Sequence, residues 1–477
     1  MESLRVFDPL GMRGRDLVIV PVRANRSKGS QMRGGGAVRA GRLVLEMLLC
    51  LALGAGARPA LAQIRPGDVI TPEDAYKVAN LVSPGNGFLV RQGMTMNIVS
   101  TGQLDWPNPY KAATEKYSQQ VRLSPGGELG NYLAGLPFPL LDANDPQIGL
   151  KIMWNFSYRP LYTDDVDIRE AEVESRTADP TVSDSIERFT AGHVALYNNI
   201  DRTELAPKPV DPDYVQGGIR YRFAIYPLLE PSEMRGAGFL RYRHADPRIE
   251  DNAWVYSSFS RKVRRVAANT LADTIENGGG DSSGGPSVTY ANTLDPDTYF
   301  GFAAKIEDFE YKLLGVKRML ACVEAANSPE RACPTDGGRT VCPENWEMRY
   351  LYVVEATAKK TMLLGSPTSI PKRILYIDSE GWFVTASDLY DRDGQLSKTV
   401  ATFNAYRDRP TPGAKESIWP FKRMFQTALV DEDIRSGFST ILYTPSRDSD
   451  FSDTWFINQG VVTPPMLEPA NIVRLGH

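Results

Sequence analysis

The chain has 477 residues, of which 42% are hydrophobic, so it can bury the core of one large or two ordinary domains and is not globally disordered. Its net charge is −4, but residues 1–62 hold 10 basic and 4 acidic residues, which leaves 44 basic and 54 acidic residues in the rest. This acidic balance argues against nucleic acid as the main partner and against broad electrostatic adhesion to anionic lipid.

The N-terminus is typical of an export signal, and we expect residues 1–62 to be removed, with Met32 as the true start. The basic region contains Arg33, Arg39 and Arg42. An apolar run over 43–55 follows it, and Ala60-Leu61-Ala62 before Gln63 fits a cleavage site. A buried helix over 43–55 and a lipid anchor at Cys50 are the alternatives. We predict an exported, soluble, periplasmic protein of a Gram-negative bacterium, with association with the outer membrane as a further alternative.

Helix-start signals dominate the first third of the mature chain. Thr71-Pro72 predicts a helix to residue 82, Asn108-Pro109 a second to 120, and Asp145-Pro146 a third. A linker rich in proline and aspartate is expected at 159–185, and a further helix over 186–200. Residues 63–185 are therefore predicted to form a helical N-terminal cover.

Two-residue alternation of apolar side chains takes over from about residue 217 and predicts strands. It is clearest over 372–398, where turns ending in Gly381 and Gly394 join three strands. Such short, closely connected strands favour an α+β fold, in which one large curved antiparallel sheet of about ten strands, a half-barrel, is covered by helices. We assign the half-barrel to 186–460 and a C-terminal tail to 461–477.

Three cysteines lie in one insertion rich in proline and glycine: Cys322, Cys333 and Cys342. An oxidising compartment favours one disulfide, and we expect Cys322–Cys342 because it would close the base of a hairpin, although three pairings are possible. A zinc site is disfavoured, since no close Cys-x-x-Cys pair and no nearby histidine are present. We predict no metal and no cofactor.

A catalytic site is weakly indicated. Residues 280–286 differ by one serine from the nucleophile loop of chymotrypsin-like proteases, and residues 190–193 (TAGH) resemble their histidine motif at His193. The extra serine changes the turn that builds the oxyanion hole, so a hydrolase using Ser283 and His193 is a remote alternative. We predict that the protein is not an enzyme.

Aromatic residues in or beside the predicted elements could line an apolar concavity, and an arginine pair at a strand end could meet a lipid head group. Ordinary core packing and a solvated edge are the alternatives. The candidate ligand-binding residues are Trp154, Tyr158, Tyr221, Phe223, Trp254, Tyr256, Arg264, Arg265 and Trp382.

Seven segments resemble the exported proteobacterial family called domain of unknown function 1329: 110–117 (YKAATEKY), 135–139 (GLPFP), 151–155 (KIMWN), 254–256 (WVY), 262–265 (KVRR), 345–349 (NWEMR) and 353–356 (VVEA). The strands after 217 more distantly resemble lipoprotein-localisation and outer-membrane lipoprotein-sorting proteins. That resemblance implies a half-barrel with a cavity for acyl chains. It also implies a functional association with an inner-membrane efflux-type transporter, as is proposed for some relatives. The cysteine insertion departs from the pattern.

The composition, the aromatic residues on the predicted strands and the family resemblance together predict a periplasmic protein that binds or carries a lipid or other hydrophobic molecule. We expect this protein to serve an envelope transport system. The alternative is an adaptor that docks an inner-membrane transporter and fills its interior with its own side chains.

Overall fold

The computed structural model describes residues 64–177, 187–267, 301–302, 304–326, 332–359, 371–410, 419–446 and 454–475. The expected export signal and Ser283 lie outside these residues. Six α-helices occur in the described chain: α1 Ala75–Val78, α2 Pro84–Gln92, α3 Asn108–Tyr117, α4 Ile148–Ser157, α5 Pro212–Gly217 and α6 Pro469–Leu475.

Strands dominate the described chain. They are β1 Val69–Ile70, β2 Met96–Ile98, β3 Arg122–Leu123, β4 Leu129–Gly130, β5 Asp165–Thr177, β6 Glu187–Asn198, β7 Ile219–Glu230, β8 Gly238–His244, β9 Asn252–Ser257, β10 Lys262–Ala267, β11 Phe309–Ala321, β12 Glu344–Ala358, β13 Lys372–Asp378, β14 Val384–Tyr390, β15 Leu396–Arg407, β16 Arg423–Asp433, β17 Phe438–Tyr443 and β18 Trp455–Ile457.

Sixteen of these strands form one open sheet in the order β1-β2-β12-β13-β14-β15-β16-β17-β5-β6-β7-β8-β9-β10, with β11 on β12 and β18 on β5. The sheet is mixed, because β2 runs parallel to β12 whereas the other pairs are antiparallel. It is larger than the predicted sheet of about ten strands, since β5 joins its middle by pairing with β17.

The prediction of a linker at 159–185 and a helix over 186–200 is wrong, because β5 and β6 occupy much of these segments. On β5 every second residue is apolar and buried up to Ile168, and the alternation resumes at Ala171, shifted by one residue. The same shift occurs on β6 between Ala191 and Val194. Glu170 has a φ of +58° where the first change occurs. On β6 the three-residue step imitates the spacing of a helix, which explains the wrong helix prediction, whereas the linker prediction rested on proline and aspartate content.

Both faces of the sheet are covered. One face, here called the α4 face, carries the largest buried cluster and packs against a covering layer formed by residues 106–162, 302 and 304–306, which includes α3 and α4. The opposite face packs against α2 around Phe403 and Val430, and against the C-terminal segment through Val462, Leu467 and Ile472. Central strands such as β15 and β16 are therefore buried on both sides.

The disulfide joins Cys333 to Cys342, so the predicted Cys322–Cys342 pairing is wrong. An isolated antiparallel bridge pairs Ala332 with Val341 and brings the two cysteine Cα atoms to 4.5 Å, within disulfide range. Cys322 is instead held at the end of β11 by a bridge to Phe403, where it is buried and free.

Candidate functional site

Helix α4 lies against the α4 face and is apolar on most of its surface, with Ile152, Met153, Trp154 and Phe156 all buried. It approaches β11 closely: a Cβ on Gly149 would lie 2.9 Å from the backbone carbon of Tyr311. A helix that is apolar all round must be covered on all sides, and glycine at this contact lets the two backbones meet.

Polar anchors hold α4 to the chain around it. The indole nitrogen of Trp154 donates to the carbonyl oxygen of Gly127 at 3.0 Å. Asn155 accepts from the amide nitrogen of Phe138 at 2.9 Å and donates to its carbonyl oxygen at 2.8 Å. These hydrogen bonds link α4 to its own covering layer rather than to the sheet.

A row of rings extends from the end of α4. Tyr158 lies with its ring centroid 4.0 Å from that of Tyr132 and 6.1 Å from that of Trp154. Phe156 meets Phe302 edge-on at 6.1 Å. Phe302 in turn meets Phe309 and Tyr311 of β11, with ring centroids 5.7 and 6.5 Å apart, so a chain of rings connects the end of α4 with the sheet.

A cleft opens at the C-terminal end of α4. Its lining combines rings and charged groups: Trp154, Phe156, Ser157, Tyr158, Arg220, Arg243, His244, Ala245, Pro247, Phe302, Ala304, Lys305, Ile306 and Glu307. The cavity volume is about 30 Å³. That is room for one or two water molecules, whereas small-molecule pockets span about 300–1,000 Å³. In this conformation the protein's own side chains fill the space.

Arg220 reaches the cleft because the register between β7 and β8 shifts between Ile219 and Tyr221, and such bulges re-aim side chains. Its guanidinium donates to the carbonyl oxygen of Ser157 at 3.0 Å and to the Ser157 hydroxyl at 2.8 Å. It also lies 4.4 Å from the ring centroid of Tyr158. Arg220 therefore ties the end of α4 to the sheet.

Further charges line the same end of the sheet. Arg243 pairs with Asp251 at 2.9 Å, and Arg241 donates to the hydroxyl of Tyr221 at 2.8 Å. Burial raises the pKa of Glu307, which favours its neutral form. The cleft mouth thus offers cations and hydrogen-bond donors beside aromatic rings.

Three indole nitrogens on the α4 face are buried and, in the described structure, have no hydrogen-bond partner: those of Trp382, Trp419 and Trp455. The hydroxyl of Tyr311, which packs against the same cluster, is also without a partner. Buried indole donors usually find an acceptor, and each unsatisfied one costs about 1–3 kcal/mol. This face is therefore rich in donors that its own side chains leave unused.

The structure separates the predicted ligand-binding residues into three groups. The buried cluster between the α4 face and its covering layer contains Trp154, Tyr158, Tyr221, Phe223 and Trp382. The opposite face holds Trp254 and Tyr256, which pack with the C-terminal segment. Arg264 and Arg265 are exposed on β10, where Arg265 donates to the side chain of Asn252.

Sequence reasoning missed Trp419, Trp455 and Tyr311 as members of the α4 face. Trp455 lies on the short β18, which the sequence pattern did not indicate, and Trp419 lies outside the regular elements. Tyr311 lies two residues after Phe309 on β11 and therefore on the same face of the strand, so two-residue alternation could have identified it.

His193 lies on β6, with its Nδ1 3.0 Å from both carboxylate oxygens of Asp167 and its ring stacked on Tyr226. Ser283 lies outside the described residues, so the proposed serine–histidine pairing has no geometry to assess. Among the described residues, no group of three or more His, Cys, Asp and Glu side chains could hold a metal ion. The described helices include none with the length and apolar character needed to cross a bilayer.

A family model for DUF1329, described as a protein of unknown function, matches residues 69–421. The chain belongs to the DUF1329 family. The matched region spans β1 to β15 and includes α4, the cleft and Trp382, while β16 to β18 and α6 follow it. Among curated proteins no match is found.

Several solved structures are similar to this DUF1329 protein. A putative outer membrane lipoprotein-sorting protein domain from Vibrio parahaemolyticus is 13% identical, with a TM-score of 0.41, and covers 69% of this chain and 100% of its own. A DUF1329 family protein from Desulfovibrio piger is 15% identical, with a TM-score of 0.37, and covers 65% and 92%. A LolA superfamily protein from Nitrosomonas europaea is 12% identical, with a TM-score of 0.27, and covers 59% and 84%.

Proposed function

We propose that this DUF1329 protein binds a hydrophobic molecule that carries hydrogen-bond acceptors, such as a lipid or fatty acid, between the α4 face and its covering layer. The observation that carries the proposal is the set of buried indole donors without acceptors at Trp382, Trp419 and Trp455. Ester, carboxyl or hydroxyl oxygens would satisfy such donors, and the surrounding rings would bury an apolar chain.

Binding requires the covering layer to move, since the present cavity of about 30 Å³ cannot hold an acyl chain. Such a movement has to break the two Arg220 hydrogen bonds to Ser157, separate Gly149 from β11 and shift Phe302, which lies between Phe156 and Phe309. The ligand would take the place of Trp154 and Phe156 against the sheet, and those two side chains would shift outward with α4.

The energy available for this exchange is large. Burying a twelve-carbon chain is worth roughly 10 kcal/mol at about 0.8 kcal/mol per CH₂ group before ordering costs are subtracted. We propose that the protein acts in the periplasm, where it passes its ligand to or from an envelope transporter; the N-terminal signal pattern supports this location.

Native mass spectrometry tests the proposal. Protein is unfolded in denaturant, freed of lipid, refolded and then offered a bacterial lipid extract. We expect an adduct of lipid mass and a higher unfolding temperature, because a ligand that binds only the folded state stabilises it. No adduct together with no shift in unfolding temperature would contradict the proposal.

A second candidate is an adaptor that docks an inner-membrane transporter without binding a ligand. The filled cleft favours it, because side chains already occupy the space beside α4. A pull-down from detergent-solubilised membranes distinguishes the two: recovery of a membrane partner by protein that remains ligand-free after exposure to lipid extract supports the adaptor.

A further inference from the structure

The turn between β9 and β10 presents an isolated aromatic ring to solvent. Ser257 pairs with Lys262 across the hairpin, so residues 258–261 form its tip. Phe259 lies in this tip and is 97% exposed. Leaving a phenylalanine ring in water forfeits about 1.5–3 kcal/mol of burial free energy, so such a position favours a partner.

Four cations follow this ring within six residues of the chain. Arg261, Lys262, Arg264 and Arg265 are exposed, and no acidic residue lies between 257 and 267. In the described structure none of the four forms an ion pair; Arg265 contacts the neutral side chain of Asn252. The chain as a whole is acidic, with a net charge of −4, so this concentration of positive charge is local.

The neighbouring loop does not cancel the charge. Gly238 pairs with Tyr256, which places the loop between β7 and β8 beside the hairpin tip. That loop holds Arg235 and Glu233, and Glu230 ends β7 beside it. These two neighbouring tips together carry five basic and two acidic residues.

We propose that the β9–β10 hairpin tip docks this protein on an anionic lipid surface. Phe259 enters the interfacial region of the bilayer, where aromatic rings are favoured, while the four cations meet acidic head groups. Each basic residue close to an anionic bilayer contributes about 1 kcal/mol, or about fivefold in partitioning. The docking uses a surface separate from the α4 cleft and does not depend on a ligand being bound there.

A lipid surface fits this tip better than a protein partner does. Protein interfaces have a contiguous apolar core from which charged residues are depleted. Phe259 instead stands between Ser258 and Ser260, with cations following directly in the chain. One exposed ring followed directly by four exposed cations matches an interfacial anchor on anionic membranes.

Vesicle co-sedimentation tests the proposal with the purified protein. Vesicles contain equal parts of phosphatidylglycerol and phosphatidylethanolamine, and pure phosphatidylcholine vesicles serve as the neutral comparison. We expect sedimentation with the anionic vesicles, little with the neutral ones, and release between about 0.1 M and about 1 M salt, where screening becomes strong.

Two variants and two matched controls locate the contact. R264E/R265E should lower partitioning at least tenfold, and Phe259→Ser at least threefold. The controls are K317E/R318E, an equal charge change on exposed residues of β11, and Val215→Ser, which alters a side chain 78% exposed on α5. Both should partition as the wild type does.

The proposal is overturned if the wild-type protein stays in the supernatant with anionic vesicles at low salt. It is equally overturned if both hairpin variants sediment as the wild type does. Because all four changes are at exposed positions, unchanged circular dichroism and unfolding temperature verify that each variant is folded. Lipid binding in the cleft is measured separately, so failure of either proposal leaves the other testable.

Discussion

Replacing Trp382 by phenylalanine separates the donor of the indole from its ring. Trp382 is 4% exposed, stacks on Tyr352 with ring centroids 5.4 Å apart, and its indole nitrogen has no hydrogen-bond partner in the described structure. Phenylalanine keeps an aromatic ring against Tyr352 and removes the unused N–H group. The substitution therefore tests directly whether this donor is unsatisfied when no ligand is bound.

The expected magnitude follows from two opposing effects. Removing an unsatisfied buried donor relieves about 1–3 kcal/mol. The smaller ring leaves a void that costs about 1 kcal/mol. In ligand-free protein, Trp382→Phe should therefore change the free energy of unfolding by between about 0 and +2 kcal/mol, so the variant is at least as stable as the wild type.

Trp154→Phe is the comparison within the same cluster. The Trp154 indole donates to Gly127, whose carbonyl oxygen would lose its partner. The lost hydrogen bond and the void together should lower the free energy of unfolding by about 2–4 kcal/mol. Urea unfolding of the two ligand-free variants measures the difference, and equal destabilisation of both would refute the reasoning.

Ligand binding provides the second readout. Trp346 is also buried with an indole nitrogen lacking a partner in the described structure, but it lies in the cluster on the opposite face. Trp382→Phe should weaken lipid binding about fivefold to tenfold, the worth of one hydrogen bond, while Trp346→Phe leaves it unchanged. Equal effects on binding would place the ligand elsewhere.

Three further outcomes are expected. Gly149→Ala should lower the free energy of unfolding by about 1–3 kcal/mol in urea titration, because its Cβ meets the β11 backbone; wild-type stability would contradict the contact. Burial raises the pKa of Asp388 to about 6, above about 3.9 in an unfolded chain, so the folded protein binds more protons and its stability should fall, on the order of 2 kcal/mol, as pH rises from 4 through 6. Asp388→Asn should reduce this slope in urea titrations at several pH values, and an unchanged slope would assign it to other groups. Cys322 should resist thiol reagents in native protein and react in denaturant, since burial hides it and raises its pKa, while peptide mapping recovers Cys333–Cys342; native labelling would contradict this burial.

The hairpins that form β13, β14 and β15 could be predicted from the sequence because each carries its own signals. Two-residue alternation runs along every strand, and turns end in glycine at Gly381 and Gly394. Hydrogen bonds within these hairpins join residues close in sequence, so local pattern and final structure agree. The family assignment likewise rested on contiguous segments.

The middle of the sheet could not be predicted because it depends on distant pairing. β5 lies beside β17, more than 250 residues away, and β5 and β6 change phase at the paired positions around Glu170, whose φ is +58°. The sequence around β5 shows neither its pairing with β17 nor this change of phase. The predicted boundary between the covering layer and the sheet was therefore residue 185, although β5 belongs to the sheet.

The candidate site was divided between faces for a related reason. Phe239 pairs with both Ile225 and Val255, which places these three side chains on one face and turns Trp254 and Tyr256 to the other. A shift of one residue in register exchanges the faces of a whole strand, and no single strand encodes its register. The disulfide depended in the same way on the Ala332–Val341 bridge.

Photo-cross-linking with a fatty acid that carries a diazirine group in its chain tests most directly whether the α4 face binds a hydrophobic molecule. Ligand-free protein is incubated with the probe, irradiated and digested, and the modified peptides are identified by mass spectrometry. We predict adducts on peptides that contain Trp154, Trp382 or Trp455, suppressed by excess unlabelled fatty acid. Adducts confined to peptides of the opposite face, or labelling that competitor does not suppress, would contradict the account.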